Sequence, residues 1–247
     1  MARVEDAHWW YRGLRDVLAR TLTRPDLRLP DEPKVLDAGC GTGANLELLR
    51  QLLRPSYLGG FDTSEEALRL AGSKADGADL YPSDIRDPEI RVDSLDLVVS
   101  MDVIYIPGVE RSLDGLRRIV ERLRPGGLFV VNLPAYDWLY SEHDIVIHTS
   151  ERYTAGRVRS LMSGLGLEIE RLSYRVFFLF PAVVLTRLPG MMRVRREQAV
   201  ARSDLTRVPA RAINEILFRT LRLENSRIAR GRSFPWGSSV FAVGRKR

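Results

Sequence analysis

One turn concentrates the chemical possibilities of this chain: Asp37-Ala38-Gly39-Cys40-Gly41-Thr42-Gly43-Ala44. Gly39 and Gly41 with Ala44 satisfy the GxGxxA spacing in which backbone amides approach a pyrophosphate at a helix N-terminus, so a nicotinamide dinucleotide is admissible on spacing alone. Asp37 argues otherwise. A carboxylate just ahead of the glycines would repel a pyrophosphate and suits a ligand that carries an ammonium group there, which favours an amino-acid-bearing nucleotide. Asp62 follows 62 − 43 = 19 residues after Gly43, and Asp84 sits in Pro82-Ser83-Asp84-Ile85-Arg86. In isolation, an Asp at a strand end caps a helix or forms a turn. Here each acid falls at the C-terminal edge of an expected parallel strand, where open α/β sheets bind ligands. Cys40, between two glycines, needs only to be small.

To set these acids along one rim the chain must alternate strands with helices, and it does. Apolar runs read as buried strands at Lys34 to Ala38, Tyr57 to Phe61, Ala78 to Tyr81, Leu95 to Met101 and Leu128 to Leu133. Between them, Ala44 to Leu53 clusters Leu46, Leu48, Leu49, Leu52 and Leu53 on a helical face until Pro55, and Ser64 caps a second helix. A third helix is expected over Val109 to Leu123, closed by Arg124-Pro125-Gly126-Gly127. After Pro134 comes an aromatic and polar stretch of the kind that carries function. A helix from Thr154 to Leu165 and a strand from Leu167 to Val176 follow it. Phe177 to about Arg232 is Arg-rich and helix-like, and Ser238 to Lys246 alternates like a last, antiparallel strand. The division expected is an N-terminal helical lid over 1–30, a core over 31–176 and 238–247, and a helical insertion over 177–237.

Composition bounds the rest. With 45% hydrophobic, 28% charged and 8% aromatic residues in 247, the chain is globular rather than disordered or fibrous. The net charge is +6, and Lys occurs only at 34, 74 and 246, so Arg supplies 38 − 3 = 35 of the cations. They are spread among acids, which reads as a base-composition habit more than a nucleic-acid footprint. Cys40 is the only cysteine, so no disulfide framework exists and a reducing, cytoplasmic address is expected. The most apolar run, Val176 to Leu188, has 13 residues broken by Pro181 and Arg187, short of the roughly 20 that span a bilayer. The three histidines fall at neither zincin nor finger spacing, so no metal is expected.

Val35 to Gly43, VLDAGCGTG, resembles the first motif of class I S-adenosylmethionine-dependent methyltransferases, and the likeness extends from about Lys34 to Leu133. It implies an α/β fold: a Rossmann-like, doubly wound, seven-stranded sheet, mostly parallel with a C-terminal antiparallel strand, plus a helical insertion. It also implies S-adenosyl-L-methionine as cofactor, leaving S-adenosyl-L-homocysteine. Asp37, Gly39, Gly41 and Gly43 would belong to its cradle, Asp62 with Thr63 to the ribose site, and Asp84 to the adenine amino group. Ile85 and Met101 would wall the site. Glu5 to Leu18 is similar to the leading helix of a bacterial small-molecule subset, where a His-Trp-Trp-Tyr cluster such as His8 to Tyr11 lies over the cofactor mouth. Pro134 to Tyr153 is similar to the same subset through Trp138, Ser141, His143, Asp144, His148, Arg152 and Tyr153. The chain departs from it after the fourth strand: members commonly read Asp-Val-Leu-Glu-His, and this one reads Asp102-Val103-Ile104-Tyr105-Ile106.

Methyl transfer from a sulfonium is an in-line displacement with a good leaving group, so positioning and exclusion of water can supply most of the catalysis. If a base is used, His143 or His148 are the candidates, with Asp144 to orient an imidazole and Tyr11 over the mouth. The alternative is a structural clasp for that loop. Phe177, Phe178, Leu179 and Phe180, followed by Arg187, Arg193, Arg195, Arg196, Arg202, Arg207 and Arg211, could make an apolar pocket with a basic rim. Such a pocket suits an isoprenoid diphosphate or another lipid-like acceptor and leaves peripheral membrane contact open. The function expected is methyl transfer to a small molecule. Two readings of other classes stand beside it: a nicotinamide-dependent oxidoreductase and a non-catalytic basic protein that binds membrane or RNA. The absence of Asn/Asp-Pro-Pro-aromatic after the fourth strand argues against a nucleic-acid substrate.

Overall fold

A computed structural model describes residues 4–108, 113–195 and 208–247. Its seven strands run β1 (Lys34–Ala38), β2 (Tyr57–Asp62), β3 (Asp79–Pro82), β4 (Leu95–Met101), β5 (Leu123–Pro134), β6 (Leu167–Arg175) and β7 (Ser239–Lys246). They form one sheet in the order β3-β2-β1-β4-β5-β7-β6. β1 is parallel to β2 and β4, β5 is parallel to β4, and β7 is antiparallel to both β5 and β6. The strand order reverses between β1 and β4, so a crevice opens beyond the C-terminal ends of β1 and β4, the switch point at which such sheets bind ligands.

Alternation along each strand builds two cores. Leu36, Val98, Phe129, Val131 and Ala242 face one side, against α4 (Asp114–Glu121) and α6 (Ala155–Gly164). Val35, Leu97, Val99, Val130, Phe241 and Val243 face the other. There they meet α1 (Trp9–Leu22), α2 (Ala44–Leu53), α3 (Glu65–Lys74) and the end of α8 (Arg211–Ala229). The segment expected as a lid is held along most of its length. Leu14, Val17, Leu18 and Leu22 are buried, and Asn225 Nδ2 of α8 donates to the Gly13 carbonyl at 2.8 Å. The first turn of α1 carries Tyr11, which feels the charge of Asp102 just past β4.

Two elements differ from the sequence expectation. β5 begins five residues early, because Gly126 at φ +83° lets the Pro-Gly-Gly segment bend within the strand instead of ending a helix before it. In the stretch expected to be irregular, a short helix, α5 (Glu142–Val146), forms behind a capping box of Ser141 and Asp144. The expected start at Val109 lies outside the described residues, as do Arg196, Arg202, Arg207 and the side chain of Arg195. The insertion between β6 and β7 contains α7 (Phe180–Arg195) and α8. Among the described residues, no helix is long and apolar enough to cross a membrane.

Candidate functional site

The turn after β1 is shaped by what glycine lacks. Gly39 sits at φ +82°, and a Cβ there would come within 2.5 Å of the Val103 side chain; Gly43 sits at φ +84°, where a Cβ would meet Ala71 at 2.7 Å. The backbone amides of Gly39 and Cys40 both donate to the Phe61 carbonyl at 2.9 Å, which ties the turn to β2. A Cβ on Gly41, by contrast, would meet nothing within 4 Å among the described residues, so the bend shows bare backbone to the crevice.

Acids line this opening. Asp37 is fully buried at the end of β1, and among the described residues neither of its oxygens accepts a hydrogen bond. Burial, and then the charge of Asp62, push its carboxyl up to about 8. Asp62, at the end of β2, receives the Gly41 amide on Oδ2 at 2.9 Å and the Ser64 amide on Oδ1 at 3.0 Å. Thr63 beside it is exposed. Asp84 is half-buried past β3 and is gripped by the backbone amide and guanidinium of Arg86, which hold its carboxyl below the ordinary value. Ile85 and Met101 are buried, one in each core. Cys40 is also buried, and its thiol is pushed up by desolvation first and then by Asp37 and Asp62.

A second polar group adjoins the turn, and here sequence reasoning missed most of the residues. Asp102, half-buried just past β4 at φ +58°, takes a 2.7 Å hydrogen bond on Oδ1 from Asn132 Nδ2. Asn132 Oδ1 accepts in turn from Arg175 Nη1 at 3.0 Å. Arg175 is fully buried at the end of β6, beside the Trp10 ring at 5.7 Å, and its charge is supported by Glu224 and Asp102. Glu224, fully buried on α8, accepts from the amides of Val176 and Phe177. Burial raises the Asp102 carboxyl to about 6 against the opposing pull of Asn132, Arg175 and Arg152. Tyr11 of α1 completes the wall: its hydroxyl, unpartnered among the described residues, is raised to about 12 by burial, then by Asp102 and by Glu5. Glu5 reaches back to the turn, accepting from Thr42 Oγ1 at 2.5 Å and pairing with Lys74. The visible signals for this group were a lone Asn in the apolar run of β5 and the acid that follows β4.

The imidazoles occupy other ground. His143 is buried in α5, and His148 is exposed beyond it at φ +54°. The Asp144 carboxylate, expected to orient an imidazole, is engaged by a helix cap and by a guanidinium. Oδ2 accepts from the Ser141 amide at 2.9 Å, and Oδ1 pairs with the buried Arg152, whose Nε donates to the Ala135 carbonyl at 2.9 Å. A buried guanidinium left without its carboxylate is costly, and that requirement holds Asp144. His8 caps α1, with Nδ1 accepting from the Trp10 amide at 3.2 Å. The aromatic run of the insertion packs on the chain: Phe177 stacks on Phe234 at 4.8 Å, and Phe180 lies 5.9 Å from Tyr136. Arg187 and Arg193 turn to Asp144 and Glu142, and Arg211 is exposed. Of the run expected to make an apolar pocket with a basic rim, the described residues form an aromatic cluster and ion pairs, and the rest of the arginines lie outside the described residues.

Residues 35–127 match a family model described as a methyltransferase domain, over the same strands and turn that build this crevice. That stretch, under half of the chain, is similar to a class I S-adenosylmethionine-dependent methyltransferase domain. The domain is similar, at 31% identity over 125 residues, to trans-aconitate 2-methyltransferase of Rhodopseudomonas palustris, covering 50% of this chain and 44% of that protein. It is 28% identical over 152 residues to dTDP-4-amino-2,3,4,6-tetradeoxy-D-glucose N,N-dimethyltransferase of Saccharopolyspora spinosa, covering 56% of each. The chain spans about half the length of the curated relatives it matches. In structure, the methyltransferase fold extends further. An S-adenosylmethionine-dependent methyltransferase of Mesorhizobium loti superposes with a TM-score of 0.58 at 18% identity, over 98% of this chain and 100% of that one.

The crevice suits S-adenosylmethionine on one observation above the others. A buried carboxylate with both oxygens unsatisfied lies beside bare glycine backbone, and an ammonium donor is the complement that such a group lacks.

Proposed function

We propose that the protein transfers a methyl group from S-adenosylmethionine to a small-molecule acceptor. The observation that carries this reading is Asp37, buried and without a hydrogen-bond donor at the glycine turn. It would hold the ammonium of the donor's amino-acid part and would oppose a dinucleotide pyrophosphate in the same place. Asp62 would take the ribose hydroxyls, with Thr63 at its side, and Asp84 the adenine amino group, while Ile85 and Met101 back the walls. Bound there, the cofactor supplies an electrophilic methyl on a positively charged sulfur. The chain's own part is to fix the acceptor in line and to keep water away, with the first turn of α1, from His8 to Tyr11, as the cover.

Isothermal titration with S-adenosylhomocysteine tests this. The wild type should bind it and not NADH. Asp62→Ala, which removes a charge-assisted acceptor, should weaken binding by about ten- to a hundredfold. Binding of NADH instead, or unchanged affinity in the variant, overturns the reading.

A further inference from the structure

The donor cradle leaves one polar group unused: the chain Asp102–Asn132–Arg175–Glu224, drawn from β4, β5, β6 and α8. Its members converge on the same edge of the sheet as the glycine turn. Val103, next to Asp102, is the residue that a Cβ on Gly39 would strike, and Tyr11 feels both Asp102 and the turn-bound Glu5. Asn132 Nδ2 fixes Asp102 Oδ1, the one hydrogen bond that this carboxylate accepts among the described residues. A non-glycine residue at φ +58° sits in a costly backbone region that the surroundings must enforce, and such positions cluster at sites of function. The remaining link, Arg175 between Glu224 and Asp102, acts on Asp102 through Asn132, so Asn132, Arg175 and Glu224 are positioning residues.

We propose that Asp102 Oδ2 faces the transferred methyl and is the proton acceptor for an amine substrate. The inference rests on the methyltransferase reading above. Charge selects the substrate class. Lys74 is paired by Glu5, Arg175 is answered by Glu224 and Arg152 by Asp144, which leaves the charges of Asp62 and Asp102 in excess around the crevice. A carboxylate acceptor would meet like charge there, whereas an amine arriving as ammonium meets its complement. The step balances with these groups alone. The ammonium N–H proton passes to Asp102, the freed nitrogen lone pair forms the N–C bond, and the S–C bond breaks with its electron pair left on a neutral thioether. The groups facing Asp102 are Tyr11 from α1, Tyr105 beside it, Arg175 from β6 and Arg152 from the strand-to-α6 loop. With the two arginines permanently cationic and the tyrosines neutral below pH 9, Asp102 is the member of this set that changes charge near pH 6.

Sinefungin tests the geometry without turnover, because it carries an ammonium where the donor carries its methylated sulfur. Its affinity relative to S-adenosylhomocysteine cancels Asp37 and the rest of the cradle, which both ligands share. In the wild type the ratio should favour sinefungin by about tenfold at pH 7.5 and should fall towards unity as the pH drops below about 6. Asp102→Asn, which keeps Oδ1 for Asn132, should hold S-adenosylhomocysteine affinity and flatten the ratio at every pH. A ratio in the wild type that does not move with pH, or one that survives in Asp102→Asn, overturns the proposal. The wild-type pH series decides alone if the variant does not fold. Failure of both ligands to bind the folded wild type is a different result: it removes the methyltransferase reading itself.

Discussion

Asp37 is an acid that its own fold disfavours when charged, and this has a sign. Its carboxyl is raised to about 8, against about 4 in an unfolded chain. Between those values the folded state binds the extra proton, so the associated stability is full below about pH 4 and is lost as the pH rises through about 8. Asp102, raised to about 6, adds a smaller loss of the same sign. Asp37→Asn removes the larger one. In thermal melts of the ligand-free protein, the variant's Tm relative to wild type should climb between pH 5 and pH 9 by about 2–4 °C or more. A difference that stays constant with pH would show that Asp37 is ionised throughout. The same substitution removes the carboxylate proposed to hold the donor's ammonium, so stability and ligand affinity should move in opposite directions. At this scale the sequence was informative wherever chemistry was local. Asp37, Gly39, Gly43 and Asp62 announce themselves by type and spacing, because a turn is made by consecutive residues. Asp102, Asn132, Arg175 and Glu224 do not, because each is unremarkable in its own segment, and only the strand order places them within hydrogen-bonding range.

Helix packing sets two glycine substitutions against each other. In a helix interior, Ala is favoured over Gly by about 1 kcal/mol. On α6, Gly156 has Thr154 Oγ1 at 3.8 Å as its nearest neighbour, so Gly156→Ala should raise Tm slightly. On α4, a Cβ at Gly115 would overlap the Ile85 carbonyl oxygen, with the Arg86 backbone at 2.8 Å. Overpacking against rigid backbone costs roughly 1–3 kcal/mol and should outweigh propensity, so Gly115→Ala should lower Tm by several degrees. Differential scanning calorimetry of the pair reads both signs, and a rise at Gly115 would mean that α4 can slide off the loop after β3. Elements were legible where period and punctuation agreed: β1, β4 and α2 fall where Lys34–Ala38, Leu95–Met101 and Ala44–Leu53 place them. The short α5 was not legible. Its signal is a polar capping box around Ser141 and Asp144, with no apolar stripe long enough to show a helical period.

Across the whole molecule, α1 joins parts of the chain distant in sequence. Its inner face belongs to the same core as β1, β4 and β7, and its N-terminus is pinned to α8, with the Trp9 amide donating to Asn214 Oδ1 at 2.9 Å and Asn214 Nδ2 to the Ala7 carbonyl at 2.8 Å. Leu18→Ala, at a fully buried position, should therefore cost about 2–5 kcal/mol and shift the single global transition. If the helix instead melted separately in far-ultraviolet circular dichroism, with the main midpoint unchanged, residues 1–30 would be a detachable cover.

β7 lies between β5 and β6, antiparallel to each, yet it follows every other described element along the chain. As the polypeptide leaves the ribosome, β1 to β5 can join before β7 exists, so the rim proposed to bind the donor can assemble while one flank of β5 is still a row of bare amides and carbonyls and β6 has no neighbour. For that interval the nascent chain offers an open sheet edge of the kind that recruits stray strands. The insertion that holds Glu224 must be threaded past this edge before the final strand closes it.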